Sequence, residues 1–115
     1  MPTSYGINIT SDQQRKVGIR KANLKYGDDP KVTNTSIMEG LCNAHLDSIT
    51  KQMIEDQAEE WGFWTKVEKH FLKLKFESKT QEKLERFAIE IKHTLEIKQR
   101  VTPSLILRVL IDNFL

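Results

Sequence analysis

Phe71-Leu-Lys-Leu-Lys-Phe-Glu-Ser78 decides how the rest of the chain is read. Leu72, Leu74 and Phe76 alternate with Lys73, Lys75 and Glu77, the period of two that lets an extended segment bury one face and wet the other. The stretch therefore predicts a short strand with a basic outer face. Ser78 and Gln81, three apart, have the spacing of a capping box, so a helix is expected to begin at about Lys79.

The same order of signals occurs near the start of the chain. In Tyr5-Gly-Ile-Asn-Ile-Thr10, Tyr5, Ile7 and Ile9 alternate with Gly6, Asn8 and Thr10, and Ser11 with Gln14 repeats the capping spacing. A shift of 67 positions lays Ile7 on Leu74, Ser11 on Ser78, Gln14 on Gln81, Val17 on Leu84 and Leu24 on Ile91. Further on, Val32-Thr-Asn-Thr35 answers Val101-Thr-Pro-Ser104 at a shift of 69. Identity between the halves is low, so this is a repeat of pattern.

The signals between these anchors are mostly helical. A first helix is expected from Ser11 to about Tyr26, stopped by Gly27-Asp-Asp-Pro30, with Gly27 suited to a left-handed C′ position. Thr33 is expected to cap a second helix with Ile37, Leu41 and Ala44 on one side. Nothing in the pattern interrupts that helix before Trp61-Gly62, so it reads as running on through Ile49, Met53, Ile54 and Ala58, with or without a kink near Asp47. In the second half, Leu84, Phe87, Ala88 and Ile91 predict a helix ending near Gln99-Arg100. Thr102 is the next N-cap, with Pro103 at the favoured first position. The last helix, Leu105 to Leu115, is apolar nearly all round, which predicts a central, buried element. The expected fold is mainly α with a short antiparallel β-ribbon. Its expected parts are a first repeat over 1–46, an acidic helical connector over 47–70 and a second repeat over 71–115.

Composition narrows the function classes. The single cysteine, Cys42, leaves no internal disulfide and suits a reducing cytoplasm. No apolar run approaches the roughly 20 residues that span a bilayer, and Met1-Pro-Thr3 starts no signal-peptide pattern. A cytoplasmic protein with no membrane partner is expected. The net charge of +2 is unevenly spread. Residues 1–46 carry six Lys/Arg against four Asp/Glu, 47–70 three against six, and 71–115 nine against six. Two basic modules thus flank an acidic connector.

Catalytic and metal chemistry find little support. Cys42 and His45 lie three apart without a second ligand pair at zinc spacing, and His70 and His93 are isolated. No glycine-rich phosphate loop or nucleophile motif occurs. Glu55, Asp56, Glu59 and Glu60 read as the wet face of the connector helix, and Trp61, Phe63 and Trp64 as core cover or a protein contact. The expectation is a protein without catalytic residues, cofactor or metal.

Strand, helix, capped turn, helix is the order of the ribbon-helix-helix DNA-binding proteins of the MetJ and Arc type, and each half of this chain resembles that family. The resemblance covers about residues 3–46 and 71–115. Carrying both copies on one polypeptide is similar to the arrangement of TraY-type conjugation accessory proteins. It implies two repeats that form an intramolecular pseudo-dimer, whose strands pair into a ribbon that enters the DNA major groove. A lone strand with two helices could not bury the face of Leu72, Leu74 and Phe76, which independently favours doubling.

The resemblance implies base-reading roles for Ser4, Gly6 and Asn8 of the first strand and Lys73 and Lys75 of the second, with Thr10 or Glu77 at the ribbon's ends. Lysine donates to guanine O6 and N7, and asparagine pairs with adenine. Gly6 departs from the long polar residue expected there. The implied phosphate sites are the starts of the second helix in each copy: Lys31, Thr33, Asn34 and Thr35, then Arg100, Thr102 and Ser104. Pro103 removes one amide donor from the second. The implied partner is double-stranded DNA, joined by further copies of the chain and by a relaxase or the transcription machinery. The implied role is a transcription regulator or a plasmid-transfer (relaxosome) accessory factor. The rival expectation is a helical protein-protein adaptor that uses the connector helix and the Trp61/Phe63/Trp64 cluster.

Overall fold

Two strands far apart in the chain meet edge to edge. A computed structural model describes residues 2–27, 30–64 and 70–115, with side chains from residue 6 to 62 and from 70 onward within those ranges. Strand β1 (Pro2–Ile9) runs antiparallel to β2 (His70–Glu77), in a register that pairs Gly6 with Lys73, Ile7 with Leu72 and Asn8 with Phe71. Among the described residues there are five α-helices: α1 (Ser11–Lys25), α2 (Asn34–His45), α3 (Lys51–Trp64), α4 (Ser78–Thr94) and α5 (Pro103–Phe114). The architecture is a two-stranded antiparallel ribbon backed by helices.

The period of two in the strands becomes two faces. Ile7, Ile9, Leu72, Leu74 and Phe76 are buried, while Gly6, Asn8, Phe71, Lys73 and Lys75 are exposed. Beneath the ribbon lies α5, whose residues 105–111 are all buried. A helix apolar nearly all round has no face to offer water, so it takes the centre. Ile37, Met38 and Leu41 of α2 and Leu84, Ala88 and Ile91 of α4 join the same core.

Helix starts depart by one residue from the expected caps. Thr10, not Ser11, caps α1: its hydroxyl accepts from the Gln13 N–H at 3.2 Å, while Gln13 Oε1 accepts from the Thr10 N–H at 2.9 Å. Helix α4 begins at Ser78 with Glu77 as N-cap and no side-chain capping bond, so the Ser78-Gln81 box is not made. The strand decides this. Ile9 and Phe76 must both point inward, which makes the next residue, Thr10 or Glu77, the last extended one. Thr33 and Thr102 cap α2 and α5 as the sequence suggests.

Two helix ends differ more. The helical stretch from Thr33 to Trp61 is interrupted at Asp47, where a kink is one of the two expectations, and the interruption is a full break: α2 stops at His45, a 3-10 turn spans Leu46–Ser48, and α3 starts afresh. Leu46 and Ile49 are both buried at the corner, and the Thr50 hydroxyl accepts from the Met53 N–H at 3.2 Å, a cap for α3. Helix α3 then passes through Gly62 instead of ending at it. Helix α4 ends at Thr94, well before Gln99. There the Ile97 N–H bonds the Lys92 carbonyl at 3.0 Å and the Glu96 N–H bonds the His93 carbonyl at 3.3 Å, with Glu96 at φ 53 and Ile97 buried. This is a Schellman ending with a glutamate in the left-handed position. Gly27, expected to be left-handed, has no positive φ. Its missing Cβ instead leaves room for the Asn23 carbonyl, 2.8 Å from where that atom would sit. Asp28, Asp29 and the stretch 65–69, also part of the expected turn and connector, lie outside the described residues.

Candidate nucleic-acid interface

The outer face of the ribbon gathers most of the residues expected to read bases. Gly6 faces Lys73 at its middle, and Asn8 faces Phe71 toward one end. Ser4 pairs with Lys75 through its backbone, and its side chain lies outside the described residues. The two lysines project from one strand and are both exposed. On that face β1 therefore brings one amide side chain, from Asn8, and β2 brings two ammonium groups.

Helix α2 comes up beside this face. An open groove of about 580 Å³ is lined by Lys73 and Lys75 of β2, Thr33, Asn34 and Thr35 at the start of α2, and Lys21 of α1. The Thr35 hydroxyl accepts from the Lys75 backbone N–H at 2.8 Å, which ties the first turn of α2 to the outer edge of β2. In that turn Thr33 and Ser36 form a reciprocal capping box, with bonds of 3.0 and 3.1 Å that engage the N–H groups of both residues. What the turn has left for a ligand is the N–H groups of Asn34 and Thr35, at the positive end of the helix dipole. Three lysines and a helix N-terminus thus face one groove and concentrate positive charge there.

The start of α5 is poorer in donors. Pro103 has no N–H, and the Thr102 hydroxyl accepts from the Leu105 N–H at 3.2 Å. Arg100 is exposed and Thr102 and Ser104 are half-buried; none of them lines the lysine groove. Lys31 is exposed in the approach to α2 and does not line it either.

Two residues of the interface escape a reading of the sequence. Lys21 carries no local signal, since only the packing of α1 brings it to the groove. Phe71 does carry one: it has the parity of Lys73 and Lys75, and is 67% exposed on their face. Its ring lies over Gly6, where a Cβ would collide with the ring carbons. A glycine in a strand leaves a bare patch of backbone, and an aromatic ring from the neighbouring strand covers it.

The rival chemistries are accounted for by local structure. Burial pushes the Cys42 thiol up to about 11, and His45 stacks on Phe114 at 4.3 Å. Among the described residues no group of three His, Cys, Asp or Glu stands close enough to hold a metal ion. Lys51 pairs with Glu55 at 3.9 Å and Gln52 bonds Asp56 at 2.7 Å along the surface of α3. Trp61 is half-buried and receives the Arg108 guanidinium over its ring at 4.0 Å, so it is engaged within the fold. The side chains of Phe63 and Trp64 lie outside the described residues. No described helix is long and apolar enough to cross a membrane.

No known protein family, curated protein or solved structure matches the chain.

Proposed function

We propose that the two strand-helix-helix halves are ribbon-helix-helix repeats forming an intramolecular pseudo-dimer, and that this unit binds double-stranded DNA with the ribbon in the major groove. The observation that carries the reading is the joint outer face: Asn8, Lys73 and Lys75 exposed on one face of the ribbon, with an amide-bearing helix start in the same groove as the lysines. Major-groove readout needs such donors on a ribbon narrow enough to enter, and the flanking anion site suits a backbone phosphate that would fix its register. The register also centres a pseudo-dyad on Gly6 and Lys73, the two residues that the 67-position shift makes equivalent.

Such a protein performs no chemistry on its ligand. It acts by occupying and marking a site, as a transcription regulator or as an accessory factor that helps load a relaxase at a transfer origin. Because the two strands differ, the preferred site is asymmetric, with guanine favoured under Lys73 and Lys75.

The test is selection of bound fragments from random duplex DNA, followed by titration at rising salt. Enrichment of one asymmetric site, with affinity falling steeply as salt rises, is the expected result. The Lys73→Ala/Lys75→Ala variant should lose about a hundredfold or more in affinity for that site and keep its thermal midpoint. No enrichment, or unchanged protection of the same site by the variant, would refute the reading. A helical protein-protein adaptor would instead bind a protein partner with little dependence on salt.

A further inference from the structure

We infer that Phe71 reads a thymine methyl group, so that the end of the site beneath Asn8 and Phe71 is specified as A·T. The inference rests on the DNA-binding reading above and names the base class at one end of that interface. The Phe71 ring is 67% exposed on a face whose other described side chains are polar or charged, Asn8, Lys73, Lys75 and Glu77, so it is the apolar surface there that a ligand would desolvate. In the major groove the apolar feature that distinguishes one base pair from another is the C5-methyl of thymine.

The seat of the ring is defined. Phe71 pairs directly with Asn8, while its ring reaches diagonally over Gly6. With only a hydrogen at position 6 the ring can lie down against the backbone; any larger residue would force it off. It thus forms a low apolar plate between Asn8 and Lys73. Asn8 is suited to the bidentate pair with adenine N6 and N7, and the neighbouring ring to the methyl of a thymine next to it. The two ends of the ribbon then ask for different bases: adenine and thymine at the Asn8/Phe71 end, guanine toward Lys75.

The experiment uses the fragment enriched from random duplex DNA, with each thymine replaced in turn by uracil, which removes the methyl and keeps the pairing. The wild-type chain should lose about fourfold in affinity at one thymine, the factor that burial of one methyl group is worth, and nothing at the others. Phe71→Ala should bind the thymine and uracil fragments equally, with an unchanged thermal midpoint because the ring is exposed. Gly6→Ala, which keeps Phe71 and removes its seat, should also lose the discrimination. An enriched site with no thymine at that end, a wild type indifferent to uracil, or discrimination that survives Phe71→Ala overturns the inference and leaves DNA binding standing. Failure to enrich any fragment refutes the DNA-binding reading itself.

Discussion

The first helix after each strand is held in place by different chemistry. Helix α4 buries an apolar stripe, Leu84, Ala88 and Ile91, and starts without a side-chain cap. Helix α1 buries only Val17 and Gln13, and starts with a full capping box. Gln13 is wholly buried and its carboxamide is the centre of a network. It accepts from the Thr10 N–H, and its Nε2 donates to Gln57 Oε1 of α3 at 3.2 Å and to Asp112 Oδ2 of α5 at 3.0 Å. Its counterpart 67 positions on, Thr80, is half-buried and sits at no such junction. The difference lies in the connector. Helix α3 packs on α5 and is joined to α1 through the Gln13–Gln57 bond, so polar groups of α1 help to hold a third helix. That network ties α1 to α3 and α5 through Gln13 while Gln57 Nε2 is buried beside it without a partner among the described residues, whereas the stripe of α4 is apolar throughout. One half holds the connector by polar contacts; the other supplies bulk burial.

The comparison can be broken most strongly at the ribbon, where the halves should behave alike. Phe76→Ala should cost about 3–5 kcal/mol and its counterpart Ile9→Ala about 2–5 kcal/mol, since both side chains are at most 1% exposed. Urea unfolding measures both, and a cost below 1 kcal/mol at either would show that the ribbon is not part of the core. In α1 and α4 they should diverge. Gln13→Ala should cost about 1–3 kcal/mol, because it strips partners from the Thr10 N–H, Gln57 and Asp112, whereas Thr80→Ala should stay within about 0.5 kcal/mol.

The acid limb of stability sharpens the same contrast. Burial, offset by the Gln13 bond, raises the Asp112 carboxyl from 3.8 to about 6, with the Glu60 charge adding to the rise. The folded state therefore holds this proton more tightly than the unfolded chain. Below about pH 4 the carboxyl is neutral in both states and costs nothing. A penalty grows as pH rises from about 4 to 6 and is constant above, roughly 1–2 kcal/mol after allowance for solvent screening. Asn43 occupies the equivalent place in the other half, and Asp112→Asn should remove this part of the pH dependence in unfolding curves taken between pH 4 and 7. If the slope persists, the carboxylate is not its source.

The smallest effect belongs to the helix ends. Gly27 and Glu96 correspond at the 69-position shift, yet the glutamate holds the left-handed position, φ 53, and the glycine does not. Glu96→Gly should stabilise the fold by up to about 1 kcal/mol. A loss of stability would mean that the glutamate side chain contributes more than its backbone costs.

The ribbon was legible because alternation needs no tertiary knowledge: Leu72, Leu74 and Phe76 of β2 fall on one parity and both lysines on the other. The helix caps were harder. Thr10-Gln13 and Ser11-Gln14 share one spacing, and what chooses between them is where Ile9 must point. The break between α2 and α3 left little trace, since no glycine or proline makes it; Leu46 and Ile49 turn the corner by burying themselves, and Thr50 restarts the helix. At the candidate site the lysines followed from parity, but parity assigns no role to Phe71. Its contact with Gly6 depends on a diagonal neighbour in a paired ribbon, which appears only once the register is known.

The strands that pair are not joined by a turn. Ile9 and His70 are 61 positions apart (70 − 9) and Pro2 and Glu77 are 75 apart (77 − 2), so every rung of the ladder closes a loop through most of the polypeptide. Loop closure on that scale carries an entropic cost that local contacts avoid. Refolding should accordingly build the helices early and zip the strands late, which pulsed hydrogen exchange would read as protection in α4 before protection in β1 and β2.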